Sequence, residues 1–167
     1  MPYASLRSIP ERTRVFLDSN VLVYAITRRS GECCILLDRC YQEEVFGFVS
    51  AEVIHEVTHK LMLVEAADRR FIAEERASLL MGKPDIVAGL RWYWNEVSGL
   101  LVSPILVLET GQAEWEAAQR IREGHGLLTS DSLIAATMAR HRLTGLATND
   151  RAFERVGGLT VYRPTDL

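Results

Sequence analysis

Cysteine is scarce in this sequence, and what there is of it is poorly placed for cross-linking. The three residues are Cys33, Cys34 and Cys40, two of them adjacent, with no Cys-x-x-Cys spacing. An odd count in that pattern excludes a disulfide framework and a thiolate zinc site, and points to small apolar residues on a helix in a reducing compartment. Lysine is scarcer still, at Lys60 and Lys83 only, so the remaining basic residues are arginine. Positive charge is not in excess either: 19 Lys and Arg stand against 22 Asp and Glu, for a net charge of −3. That excludes holding nucleic acid by bulk charge alone, although bound divalent cations can invert a local field. No apolar run approaches the roughly 20 residues that span a bilayer, and the opening MPYASLRSIPERTR has no signal-peptide core. A cytoplasmic protein without membrane contact is expected.

What is present suits an ordinary folded domain: 167 residues, 48% hydrophobic and 25% charged. Length gives one domain, 1–167, with residues 1–13 read as a polar lead-in. Val15 to Leu17 is a short apolar strand ending at Asp18-Ser19-Asn20, where Ser19 or Asn20 caps an apolar helix over Val21–Ile26. Helix Glu32–Gln42, strand Val45–Val49 and helix Ala51–Ala66 follow, the last with apolar positions Val53, Val57, Leu61 and Val64. Helices are expected at Asp68–Met81, closed by Gly82, and at Asp85–Val97, entered through Pro84. Next come a short apolar run at Ile105–Leu108 and helices near Gln112–Arg122 and Ser130–His141. A strand at Leu146–Thr148, a helical turn at Arg151–Arg155 and a strand at Leu159–Tyr162 close the chain. Alternating strands and helices imply an α/β fold of three layers, with a central parallel sheet covered on both faces.

Four acids stand where such a sheet presents its active site, at the carboxyl ends of the strands. Asp18 ends the first strand, Glu56 lies in the helix after the second, Asp131 opens a late helix and Asp150 ends the next strand. Singly, each has a plain structural reading: an Asp at such a place is usually a cap or an Asx turn, and Glu56 pairs with Lys60 at i+4. On the helix, Glu56 falls roughly 110° from the face centred on Val57 and Leu61, at the edge of a cleft rather than in the core. Gathered together, four carboxylates repel one another unless protonated or joined by a cation. A hard ion such as Mg²⁺ or Mn²⁺ answers that with oxygen ligands and retained water, which is the chemistry of phosphodiester hydrolysis.

Three segments carry a family resemblance: Val15-Phe16-Leu17-Asp18-Ser19-Asn20, Thr129-Ser130-Asp131-Ser132-Leu133-Ile134-Ala135-Ala136, and Leu146-Ala147-Thr148-Asn149-Asp150-Arg151-Ala152-Phe153. With Ser50 and Glu56 between them, their order and spacing from Val15 to Arg155 resemble the PIN domain, the fold of metal-dependent ribonucleases that includes VapC-type toxins. The resemblance implies that Asp18, Glu56, Asp131 and Asp150 coordinate Mg²⁺ or Mn²⁺, that Asn20 and Thr148 support them, and that RNA is the substrate. It further implies the toxin half of a toxin–antitoxin pair, with an antitoxin protein as partner, and a homodimer. One departure is Ala152, where many members carry a further acid.

Competing motifs are present. His55-Glu56-Val57-Thr58-His59 is a literal H-E-x-x-H, which in zinc peptidases binds metal through both histidines. Lys60 sets a cation beside His59, His55 projects about 150° from the core face, and that reading leaves the other three acids unexplained. Asp18-Ser19-Asn20 is similar to the start of D-x-D phosphatases, with Asn20 in place of the second acid. A PIN-fold module that binds RNA or protein without cutting is a further alternative, opposed by the full set of acids. Arg28, Arg29, Arg151 and Arg155 are the candidate phosphate contacts. Trp92-Tyr93-Trp94 spans about 200° of helix surface, so it serves the core and also an interface or RNA.

Overall fold

In the computed structural model, which describes residues 3–167, six parallel strands form one sheet. They are β1 (Ala4–Ser5), β2 (Arg14–Leu17), β3 (Phe46–Ser50), β4 (Leu106–Leu108), β5 (Gly145–Ala147) and β6 (Thr160–Arg163), in the spatial order β1-β6-β5-β2-β3-β4. Central β2 is paired on both sides, and its Val15, Phe16 and Leu17 are at most 1% exposed. A strand covered on both faces reads as an unbroken apolar run, and burying each such side chain contributes about 1.5–3 kcal/mol. The described residues also form eight α-helices, α1 (Ser19–Ile26), α2 (Gly31–Tyr41), α3 (Ala51–Asp68), α4 (Ala77–Leu80), α5 (Pro84–Gly89), α6 (Trp92–Leu101), α7 (Gln112–His125) and α8 (Thr129–Arg140), with the short α4 and α5 packed on the end of α3. The α/β architecture of the sequence reading stands.

From β2 the chain steps outward through β3 to β4, then returns to the other side of β2 as β5 and β6. Crossovers therefore diverge at β2, and such a switch point opens a crevice at the carboxyl ends of the strands. Asp18 and Thr148 directly follow β2 and β5, and Ser50 is the last residue of β3.

Several local expectations are corrected. The polar lead-in is structural: Ala4 and Ser5 pair with Tyr162 and Arg163, and Leu6 and Ile9 are buried. The cap of α1 is Asp18, whose Oδ1 accepts from Ser19 N at 2.6 Å, rather than Ser19 or Asn20. No helix runs from Asp68 to Met81. Arg70 takes a left-handed φ of 60° that closes α3, and only the single turn α4 forms before Gly82. The helix expected over Asp85–Val97 is two. Glu65, reaching across from α3, accepts from Arg91 N at 2.9 Å and Tyr93 N at 3.0 Å, which satisfies the free donors of a new helix start at α6. The three cysteines are free thiols on α2, and burial pushes Cys33 up to about 11 and Cys40 up to about 12. At the chain's far end, Asp166 accepts from Ser30 Oγ and Glu32 N, tying the tail to the start of α2.

Candidate active site at the carboxyl edge of the sheet

Asp18 is the anchor of the crevice. Its carboxylate is buried and takes hydrogen bonds from Ser19 N, from Thr148 Oγ1 at 2.6 Å and from Asn20 Nδ2. Thr148 in turn accepts from Asp150 N at 2.9 Å, and Asn20 Oδ1 accepts from Asn149 N at 2.9 Å. Asn20 and Thr148 thus stitch the end of β2 to the end of β5 and fix the orientation of Asp18. Hydrogen bonds to an ionised group contribute about 1.5–3 kcal/mol each. Burial nevertheless dominates and pushes the Asp18 carboxyl above its ordinary value, against the Thr148 and Ser19 bonds, with Glu56 adding repulsion.

Asp131 enters from the first turn of α8, partly buried. Its carboxyl is pushed up to about 6, first by desolvation and then by the charges of Asp150, Asp18 and Glu56. The four acids, each from a different element, line one cavity. Glu56 stands on α3 and pairs with Lys60 at 2.8 Å, and Lys60 Nζ also donates to Ser19 Oγ at 3.2 Å. Asp150 Oδ1 accepts from Ala152 N at 2.7 Å, so it also caps the 3-10 turn over Arg151–Arg155. One open cavity of about 510 Å³ is lined by Asp18, Asn20, Glu56, Asp131, Asp150 and Lys60. The cap reading and the pocket reading hold together for Asp18 and Asp150, and the i+4 pair and the pocket hold together for Glu56.

Among the described residues, no three of His, Cys, Asp and Glu are close enough to enclose a metal ion as they stand. Glu56 is engaged by Lys60, and Asp150 by the backbone N–H of Ala152. In kind, the donor set fits a hard divalent ion, being carboxylate oxygen throughout.

The other sequence candidates fare differently. Arg29 is engaged in an ion pair with Glu75 beside an adjoining cavity that also takes in Lys60 and Asn20. Arg28, Arg151 and Arg155 are exposed and do not line the acid cavity. His55 and His59 are both exposed on α3, with no third ligand beside them among the described residues, so the zinc-peptidase reading lacks its site. Trp92 and Tyr93 pack partly buried against the core, while Trp94 is 52% exposed. Sequence reasoning missed Lys60 as a residue of the pocket. Its signal was available, because i+4 from Glu56 places it on the same flank of α3.

Comparison with known proteins bears on the family and the fold. The PIN domain profile matches residues 15–159. The chain is 23% identical over 151 residues to a protein named Ribonuclease VapC2 from Methanocaldococcus jannaschii, covering 90% of this chain and 94% of that one. Among solved structures it resembles VapBC2 from Rickettsia felis bound to a promoter DNA fragment, with a TM-score of 0.58, 16% identity and coverage of 91% of this chain and 99% of that one. It also resembles a toxin–antitoxin complex from Klebsiella pneumoniae, with a TM-score of 0.55, 17% identity and coverage of 92% and 98%. At such identities the structural likeness speaks for the fold.

Proposed function

The chain belongs to the PIN domain family, and from that premise we propose that it is a Mg²⁺- or Mn²⁺-dependent endoribonuclease and the toxin of a toxin–antitoxin pair. The carrying observation is the meeting of Asp18, Glu56, Asp131 and Asp150 in one cavity at the sheet's switch point. The likeness to a ribonuclease over nine-tenths of the chain supports it. All of 1–167 acts as one domain in the cytoplasm, and an antitoxin protein and a second copy of the chain are its partners. The antitoxin assignment draws on the toxin–antitoxin complexes among its structural relatives.

Asp18, Glu56, Asp131 and Asp150 would hold the ion, directly or through water, with Asn20 and Thr148 as positioning residues. A bound hard cation supplies charge stabilisation at a phosphoryl oxygen and a more acidic water. The protein's own contributions are legible beside it. Thr148, Asn20 and Ser19 N lock the Asp18 carboxylate, so it need not reorganise when substrate arrives. Lys60 puts one ammonium among the acids, where an anionic phosphodiester meets it. Asp131 must lose its proton before it takes up a cation.

RNA cleavage measured with Mn²⁺, with EDTA, and with the Asp131→Asn protein tests the proposal. Cutting that needs both the ion and the carboxylate is expected. Cutting that survives chelation and substitution overturns it.

A further inference from the structure

A second cavity adjoins the acid cavity, and the two share Glu56 and Ser130. Its volume is about 660 Å³, within the range of sites that hold nucleotide-sized ligands. Val53 and Ile134 give it apolar walls, while Glu52, His55 and His59 give it a polar edge. Among the described residues that line it, none is Lys or Arg. A phosphate finds no fixed cation there. A flat heteroaromatic ring finds an apolar bed, two imidazoles to stack on and a carboxylate to accept from an exocyclic amine.

The opposite flank has the reverse character. There the adjoining cavity shares Asn20 and Lys60 with the acid cavity and carries Arg29 and Tyr24. The two basic side chains, Lys60 and Arg29, thus stand on one side of the acids, Arg29 paired with Glu75, while the trench side carries the two imidazoles with the carboxylates of Glu52 and Glu56. His55 and His59, one helical turn apart on the same face of α3, are exposed, and both line the cavity.

We infer that the His55–His59 trench seats an unpaired nucleobase next to the scissile phosphate and reads that base through His55, His59 and Glu52. This rests on the ribonuclease reading above. A base in a duplex keeps its faces and its pairing edge occupied, whereas a single-stranded base can splay out onto aromatic side chains. The literal H-E-x-x-H motif then has a role without zinc: its histidines hold the base, and its Glu56 belongs to the acid cavity alongside.

The sequence contains four histidines, His55, His59, His125 and His141, which makes their ring protons a sparse set of NMR reporters. The Asp131→Asn protein, unable to cut, is titrated with a random-sequence RNA octamer, with the same octamer bearing abasic sites, and with a blunt RNA duplex. Signals of His55 and His59 are expected to shift with the intact single strand and to stay put with the abasic strand and the duplex, while His125 and His141 serve as folding controls. Replacing both residues, His55→Ala with His59→Ala, is expected to weaken octamer binding about tenfold and to leave abasic binding unchanged. Octamer binding with silent His55 and His59 signals, or an unaltered affinity in the double variant, overturns the trench and leaves the ribonuclease reading standing. No octamer binding together with no cleavage by the wild-type protein in Mn²⁺ overturns both.

Discussion

Glu65 and Asp131 are both carboxylates withdrawn from bulk water, yet their surroundings drive them in opposite directions. Around Glu65, burial raises the carboxyl, but backbone donors at Arg91, Tyr93 and Trp92, with Arg69 beside them, outweigh it and hold the group below its ordinary value. Glu114 follows the same pattern, with Gly111 N at 2.6 Å and Arg140 at 2.9 Å joining the start of α7 to the end of α8. Around Asp131 the neighbours are other acids, and the carboxyl is pushed up instead. A charge spent on holding helices is fully answered by donors. A charge whose neighbours are other acids, as at Asp131, is left unanswered.

Four experiments sharpen or break that contrast. The largest effect is expected on catalysis: Asp18→Asn or Asp131→Asn should lower cleavage by about 100-fold or more, while Glu65→Gln leaves it nearly unchanged when assayed on folded protein. Equal losses in both places would erase the distinction. Next is stability, read by urea denaturation. Glu65→Ala strips acceptors from the start of α6 and should cost about 3 kcal/mol.

Asp131→Asn should act with the opposite sign on the metal-free protein, raising its stability by about 1 kcal/mol above pH 7, since repulsion is relieved in a partly solvated site. Mn²⁺ should then raise the melting temperature of the wild type and not of the variant. The smallest effect is the pH profile. Glu65 and Glu114, held low, contribute stability that is present above the ordinary carboxylate range and lost as pH falls through their depressed values. Asp131, held high, costs stability as pH rises from 3.8 to about 6. The stability gap between wild type and Asp131→Asn should therefore open across that interval and stay flat above it, as melting curves at stepped pH would show.

The same contrast explains what could be read from the sequence. Asp18, Asp131 and Asp150 were legible because each follows a strand or opens a helix, a local pattern that the topology then carries to one edge. The sheet itself was legible from its apolar runs. The break at Leu90–Arg91 was not, because the acceptor that creates it, Glu65, lies 26 residues earlier and nothing near the break signals it. Strand β1 escaped notice for a similar reason: two residues carry no periodicity, and only the pairing with Tyr162 and Arg163 makes them a strand. Lys60 was seen as a partner for Glu56, but its reach to Ser19, 41 residues away, depends on α1 and α3 packing together.

Strand β6 lies between β1 and β5, so among the described residues the earliest strand pairs with the latest. During synthesis β1 emerges more than a hundred residues before β6 and stays without that neighbour until β6 follows. Loop closure over so long a separation is slow. Assembly of this edge, and of the contact that ties Asp166 to Ser30, therefore waits for the residues from Thr160 to Asp166 to emerge.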